Sequence, residues 1–184
     1  MKRLVIMTVG KTHSGKTTFA KELEQQLKNS MVIDQDNHAE FVNTYYLSLR
    51  PLHGPNTLKY NITNTIVDYA VRMTDLHLVL CNSNRYTKGR LEVLAYFHEH
   101  GFESVLVHFD LPDHILEERV RSSKRNKSIF RTASSFIEVL DRQIAESGLE
   151  NVSAPVQGEA NHFFEIKDSM EIQSVIRSIV AISR

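Results

Sequence analysis

A chain of 184 residues with 41% hydrophobic and 24% charged residues has the composition of an ordinary globular protein, and its length fits a single domain at residues 1–184. The 22 basic and 22 acidic side chains balance, which argues against a broad nucleic-acid surface. Because no apolar run reaches membrane-spanning length, no secretory leader is recognisable and the single cysteine excludes an internal disulfide, we expect a cytoplasmic protein without a membrane partner.

The first predicted strand covers residues 4–9 and leads directly into the sequence GKTHSGKT at residues 10–17. This G-x-x-x-x-G-K-T spacing is typical of a phosphate-binding loop, in which backbone N–H groups face one anion. Gly10 and Gly15 suit such a loop because they adopt positive φ angles and leave no Cβ between the backbone and the phosphate. The pattern predicts a nucleotide site at the N-terminal end of the chain.

Two side chains of this loop are expected to contact the nucleotide and its metal ion. Lys16 would reach the β and γ phosphates, and the Thr17 hydroxyl would bind Mg²⁺. The helix that follows carries Phe19, Leu23 and Leu27 on one apolar face, so its positive N-terminus would point at the phosphates. ATP and Mg²⁺ are therefore the expected ligands.

The second predicted strand, residues 31–33, is followed by two carboxylates, Asp34 and Asp36. Ligands of open α/β sheets bind beyond the carboxyl ends of the strands, so one of these acids is expected to face the γ-phosphate. Asp36 has two open interpretations. It could act as the catalytic base that accepts a proton, or it could cap the first turn of the following helix, as an aspartate just before a helix often does. Asp34 is the alternative base, since Gln35 would point to the other side of an extended segment.

Residues 37–75 are predicted to be helical with one interruption. A first helix spans residues 40–49, a break with two prolines and a glycine follows at residues 50–55, and a second helix runs from Asn56 to about Met73. The break is either the lip of a substrate pocket or a plain connecting loop.

Strands and helices continue to alternate along the rest of the chain. Further strands are predicted at residues 76–81, 104–109 and 162–166, and further helices begin at Lys88, Pro112, Ser134 and Ser169. This alternation is typical of a parallel sheet that is covered on both faces. The expected fold class is therefore α/β, a P-loop NTPase three-layer α/β/α sandwich with a five-stranded parallel sheet.

The helix after the fourth strand carries a dense run of basic residues. Its basic members are Arg119, Arg121, Lys124, Arg125 and Lys127, with Arg131 just beyond. A charge run is often only a solvated helix face. Beside a phosphate loop, however, arginines on a mobile flap would neutralise an ATP molecule of charge about −4 during transfer. We therefore expect a helical lid at about residues 119–131.

In their order, these motifs resemble the polynucleotide 5′-kinase group of P-loop kinases, which includes zeta-toxin-like and small-metabolite kinases, over residues 3–145. The resemblance implies an AAA-type ATP-binding, kinase-like protein. It also implies that Asp36 is the base toward the acceptor hydroxyl, and that Arg119 and Arg125 close over the transferring group. Further matching positions are the turn at residues 81–84, Arg90, and the Asp-Leu-Pro sequence at residues 110–112.

Two positions depart from the pattern of that group. The polynucleotide kinases have an arginine three residues after the catalytic acid, where this chain has Ala39, and an acid in the turn after the third strand, where it has Asn82. These departures favour an alternative function, an ATP-binding regulatory switch or weak ATPase without a phosphoryl acceptor. A guanine-specific GTPase is less favoured, because residues 126–129 lack the aspartate of Asn-Lys-x-Asp.

The preferred hypothesis is an ATP-dependent kinase that transfers the γ-phosphoryl group to a hydroxyl on a nucleic-acid 5′ end, a nucleoside or a small metabolite. Its catalytic residues would be Lys16, Asp36, Arg119 and Arg125, and its metal-binding residues Thr17 and Asp36. The nucleotide would be bound by Gly10, His13, Ser14, Gly15, Lys16, Thr17, Thr18 and Arg119. The resemblance places the adenine near Lys167 and Asp168.

Overall fold

The computed structural model describes residues 2–184 and contains one sheet of five parallel strands. The strands are β1 (Arg3–Gly10), β2 (Ser30–Asp34), β3 (His77–Cys81), β4 (Phe102–Phe109) and β5 (His162–Ile166). The α-helices are α1 (Lys16–Gln26), α2 (Gln35–Tyr45), α3 (Thr57–Met73), α4 (Thr87–Glu99), α5 (Asp113–Arg121), α6 (Phe136–Glu146) and α7 (Ile172–Ile182). Short 3₁₀ turns cover Leu47–Leu49 and Ser169–Glu171. The predicted five-stranded parallel α/β fold is confirmed.

Strand β1 lies in the middle of the sheet, whose order is β2-β3-β1-β4-β5. Its apolar run is continuous because helices cover both faces of the sheet. Leu4 and Ile6 face the core beneath α1, α5, α6 and α7, whereas Val5 and Met7 face the core beneath α3 and α4. All four side chains are fully buried, so β1 is held firmly at the base of the loop that follows it.

The sheet brings three functional segments to one edge. β1 ends at Gly10, β2 ends at Asp34, and β3 ends just before Asn82. β2 and β1 both pair with β3, in parallel, so these three strand ends are neighbours. This is the edge at which ligands bind in open α/β sheets.

The start of α2 differs from the prediction. The helix begins at Gln35 and ends at Tyr45, instead of covering residues 40–49. The Asp34 carboxylate accepts a hydrogen bond from the backbone N–H of Asp36 at 2.9 Å and thereby caps the helix. The expectation that residues 34–36 are extended is therefore wrong, and Asp36 lies in the first helical turn.

The basic segment after β4 also differs from a purely helical lid. Helix α5 ends at Arg121, and α6 begins only at Phe136. Residues 122–135 form an irregular segment, here called the lid loop.

Within residues 2–184, no helix combines the length and apolar character needed to cross a bilayer.

Candidate active site

The phosphate-binding loop between β1 and α1 requires its two glycines. Gly10 has a φ angle of 152°, and a Cβ there would lie 2.9 Å from the carbonyl oxygen of Phe109. Gly15 has a φ angle of 102° and forms the N-cap of α1. His13 between them also has a positive φ angle, 59°. The backbone N–H of Gly10 donates to the carbonyl of Ser83 at 3.0 Å, which ties the loop to the end of β3.

Lys16 lies across the inside of this loop. Its ammonium group donates to the carbonyl oxygen of Lys11 and to Ser14 Oγ, the latter at 3.1 Å. Burial lowers the pKa of Lys16 to about 8. The charge is thus held where a phosphate would bind, by contacts that a phosphate oxygen could replace.

The residues around Thr17 fit a magnesium ion. Thr17 Oγ1 donates to Asp34 Oδ2 at 3.4 Å, and Cys81 Sγ lies 3.6 Å from the same hydroxyl. Asp34 is buried, and burial raises the pKa of its carboxyl group. Residues 2–184 hold no cluster of three or more His, Cys, Asp or Glu side chains suited to a metal. Mg²⁺ suits a hydroxyl and one carboxylate, because it commonly takes its other ligands from water and phosphate.

Asp36 faces the lid loop rather than Thr17. Arg125 Nη2 donates to Asp36 Oδ2 at 2.6 Å, and the Asp36 side chain is 42% exposed. The helix-capping role that the sequence left open for Asp36 belongs to Asp34. The two acids therefore have different surroundings, Asp34 beside Thr17 and Asp36 at the open side of the site.

The second lid arginine, Arg119, connects α5 to the phosphate-binding loop. Arg119 Nη1 donates to the carbonyl of His13 at 3.2 Å, and Nη2 donates to Ser169 Oγ at 2.7 Å. His13 Nε2 is 2.8 Å from Ser123 Oγ of the lid loop. Burial, followed by the nearby charges of Arg125, Lys16 and Arg119, lowers the pKa of His13 to about 4. His13 is therefore neutral near pH 7 and joins the loop and the lid by a neutral hydrogen bond.

Helix α2 holds the lid loop over the site through two side chains besides Asp36. Glu40 Oε1 accepts hydrogen bonds from Asn126 Nδ2 at 3.0 Å and from Ser128 Oγ at 2.8 Å. Asn43 Nδ2 donates to the carbonyl of Ser128 at 2.6 Å. The lid loop is thus held against the wall of the site by polar contacts, which water can replace more easily than an apolar core.

These elements enclose a cavity of about 780 Å³. Residues of the phosphate-binding loop, His13 to Thr18 except Ser14, line one side of it, and Asp36, Arg119 and Arg125 also face it. The remaining wall comes from the start of α3, the lid loop, helix α6 and the turn after β3. Eight of the ten site residues predicted from the sequence therefore line one continuous cavity. Of the other two, Gly10 supports the phosphate-binding loop, and Ser14 is buried beneath Lys16.

A family model described as an AAA domain matches residues 5–146. The chain belongs to the AAA domain family. No curated protein matches it significantly. The AAA-type family that the resemblance implied is confirmed.

Solved structures share the fold of this AAA domain. Chaetomium thermophilum Kti12 in complex with ADP-AlF3 is 14% identical with a TM-score of 0.62, covering 98% of this chain and 99% of that one. Mycobacterium tuberculosis APS kinase CysC, in complex with AMPPNP and APS, is 16% identical with a TM-score of 0.62, covering 98% and 97%. Shikimate kinase from Bacteroides thetaiotaomicron is 18% identical with a TM-score of 0.57, covering 97% of each chain.

The turn after β3 supports the loop of the AAA domain from behind. Asn82 Oδ1 accepts a hydrogen bond from the backbone N–H of Gln35 at 3.2 Å, and Asn84 Nδ2 donates to the carbonyl of Thr8 at 2.9 Å. Arg90, which the resemblance matched to a family position, is buried and pairs with Glu159 at 2.7 Å. Its contacts are structural ones, with the turn and with the segment before β5.

Lys167 and Asp168, near which the resemblance places the adenine, lie outside the large cavity, and the adenine position stays a prediction. Lys167 Nζ pairs with Glu165 at 2.8 Å, and Asp168 caps the following 3₁₀ turn, so neither is among the described residues that line the large cavity. Lys59, in contrast, lines the cavity and was not singled out from the sequence. Its only sequence signal was its place in the first turn after the predicted helix start at Asn56.

Proposed function

We propose that this protein is an ATP-dependent phosphotransferase that moves the γ-phosphoryl group of ATP to a hydroxyl acceptor on a nucleic-acid 5′ end, a nucleoside or a small metabolite. The observation that carries the proposal is the shape of the cavity. The phosphate-binding loop forms one side, Asp36 lies beyond it, and further space follows between α3 and the lid loop. A site for ATP alone would need neither the Asp36 carboxylate nor the additional space between α3 and the lid loop.

In the proposed reaction, ATP binds with its triphosphate along Gly10 to Thr18, where Lys16 and the loop N–H groups bind its oxygens. The acceptor oxygen attacks the γ-phosphorus, the bond to the ADP oxygen breaks, and the hydroxyl proton moves to the Asp36 carboxylate. Arg119 and Arg125 neutralise the charge of the transferring phosphoryl group. This neutralisation lowers much of the reaction barrier, because phosphoryl transfer needs little covalent chemistry from the protein. For this, Arg125 must leave Asp36 and turn to the phosphoryl group.

Mg²⁺, held by Thr17 and through water by Asp34, would supply charge neutralisation at the β and γ phosphates. The contact between Thr17 and Asp34 supports this assignment over a role for Asp36 in metal binding. Asp36 is then free to take the proton. The two acids thus divide between them the metal and base roles that we had expected Asp36 to combine.

The test is a screen of radiolabelled ATP against pooled hydroxyl acceptors, with oligonucleotides as one pool. We expect transfer to at least one pool, and a 10²- to 10⁴-fold lower kcat in Asp36→Asn, because general-base catalysis contributes about that much. Asp141→Asn, an exposed aspartate of α6, serves as the matched control. Transfer at the wild-type rate by Asp36→Asn would contradict its role as base.

A regulatory switch is the second candidate, and the Asn82 side chain favours it. Asn82 places a neutral amide where the kinases it resembles have an acid, and its oxygen is engaged by the backbone of Gln35. A switch would hydrolyse ATP slowly and independently of any acceptor, and would bind a partner protein in one nucleotide state only. ADP release that depends on an added acceptor would favour the kinase instead.

A further inference from the structure

The part of the cavity between α3 and the lid loop, here called its far half, carries two cations that form no salt bridge with an acidic side chain of residues 2–184. Lys59, in the first turn of α3, and Arg131, in the lid loop, both line this half. No ion pair among residues 2–184 includes either one. Arg125, on the same lid loop, pairs with a carboxylate at 2.6 Å. Unlike Arg125, therefore, neither of these cations is neutralised by a direct ion pair, although Asp36 lines the same cavity.

The surroundings of the two cations show why this arrangement is unusual. Lys59 is half-buried, with its ammonium group 4.6 Å from the centre of the Tyr60 ring. Arg131 Nη1 donates to the carbonyl of Pro51 at 3.1 Å, which fixes its guanidinium group at the wall. Burial lowers the pKa of Lys59. Of the charges around it, Asp36 has the largest effect and raises this pKa, Arg131 lowers it, and Asp34 raises it. Half-buried charges of like sign are held together only at a cost in free energy.

We propose that the hydroxyl acceptor carries a phosphate ester group of its own, which Lys59 and Arg131 bind while its hydroxyl faces Asp36. This inference rests on the proposed function and names its substrate class. A phosphate monoester carries up to two negative charges at pH 7, which matches two cations. Arg131 offers a planar fork that fits phosphate oxygens, and Lys59 offers a point charge beside it.

Charge in this position also selects among acceptors. A neutral sugar or nucleoside would leave both half-buried cations unpaired and would displace the water around them, which disfavours binding. A phosphorylated acceptor would relieve the repulsion between Lys59 and Arg131 and would be oriented by a contact remote from its hydroxyl. Such a remote contact is how binding energy positions a reacting group.

The phosphate ester could belong to a small metabolite or to a nucleic-acid backbone, and paired acceptors separate these sources. Glycerol 3-phosphate, ribose 5-phosphate and 3′-AMP are compared with glycerol, ribose and adenosine. A 5′-hydroxyl oligonucleotide is compared with its neutral methylphosphonate analogue. We expect phosphoryl transfer to a charged member and at least tenfold lower kcat/KM for its neutral partner. Equal use of neutral and charged partners would overturn the inference.

Two variants test whether the preference for a charged acceptor depends on Lys59 and Arg131. Lys59→Gln and Arg131→Gln should each raise the KM for the charged acceptor about 10- to 100-fold, the cost of a lost charge-assisted hydrogen bond, and leave the KM for ATP within twofold. Lys88→Gln, whose side chain is 89% exposed on α4, is the matched control. An unchanged acceptor KM, or an increase confined to the KM for ATP, would count against the inference.

A binding measurement separates failure of the inference from failure of the proposed function. Inorganic phosphate is titrated by calorimetry into protein saturated with AMPPNP and Mg²⁺, so that the phosphate-binding loop is filled. Binding that weakens at least tenfold in Lys59→Gln and Arg131→Gln supports the anion site even where no acceptor is phosphorylated. Phosphate binding that is absent, or equal in wild type and both variants, overturns the site whatever the activity.

Discussion

Lys16 is expected to make nucleotide affinity depend on pH. Burial lowers the pKa of its ammonium group to about 8, so the ligand-free protein loses this charge as the pH rises through 8. Only the protonated form attracts phosphate, so the Kd for ATP should rise about tenfold per pH unit above pH 8 and stay flat below it. Calorimetric titration with ATP and Mg²⁺ between pH 6.5 and 9.5 measures this.

The control for this pH dependence is Lys16→Arg, whose guanidinium remains charged over the whole range. It should bind ATP less tightly at pH 7 because of its different shape, but with a flat profile above pH 8. A Kd for ATP that is constant to pH 9.5 in the wild type would contradict the lowered pKa. His13 should add no step near pH 6.5, because its pKa lies at about 4.

At the level of residues, the sequence predicts those site residues that belong to one short motif with a fixed spacing. Gly10, Gly15, Lys16 and Thr17 form a contiguous motif whose geometry follows from its residue types. That Lys59 and Arg131 line the same part of the cavity could not be predicted, because it depends on how α3 and the lid loop approach each other in three dimensions. A cation far from a motif gives no signal of its own.

Among the elements, the contact between α2 and the lid loop should control access to the site. Glu40→Ala removes the acceptor of two hydrogen bonds from the lid loop, those of Asn126 and Ser128. We expect faster hydrogen exchange in residues 122–135 and a severalfold higher acceptor KM, with little change in the melting temperature. Exchange mass spectrometry and steady-state kinetics test this.

Glu92→Ala is the matched control for the lid, because Glu92 lies exposed on α4 and pairs with the exposed Lys88. It should alter neither exchange in the lid loop nor acceptor kinetics. Exchange in residues 122–135 that is the same in Glu40→Ala and the wild type would show that other contacts hold the lid.

At the level of elements, the order of strands and helices was predicted correctly, but both ends of α2 and the end of α5 were not. The order of strands and helices follows from apolar periodicity, which is strong in a sheet buried on both faces. The true start of α2 was missed because its cap, Asp34, is also the last residue of β2. The end of α5 was missed because basic residues suit a helix and a loop equally, and contacts with α2 decide between them.

Across the whole molecule, the Arg90–Glu159 pair connects α4 with the segment before β5. Arg90 is fully buried as a side chain, and Glu159 is 10% exposed. Arg90→Met leaves the largely buried Glu159 carboxylate without its cation, which should lower the free energy of unfolding by about 3–5 kcal/mol. Urea denaturation measures this loss, and Arg90→Met/Glu159→Gln should recover part of it.

Arg72→Met provides the comparison, because Arg72 pairs with Asp68 at the surface of α3. Its unfolding midpoint should differ far less from the wild type. A loss in Arg90→Met no larger than that in Arg72→Met would contradict the structural role of the buried pair. That residues 1–184 form one domain stays a prediction, which a single cooperative transition in the same experiment would support.

The most direct measurement of the central claim is calorimetric titration of wild type and Lys16→Ala with ATP and Mg²⁺. The claim is that the loop from Gly10 to Thr17 holds the triphosphate. It predicts one site in the wild type and a roughly 100-fold or larger rise in the Kd for Lys16→Ala, with the melting temperature unchanged, because at least two charge-assisted hydrogen bonds are lost. Equal affinity in the two proteins, or no binding to the folded wild type, would contradict it.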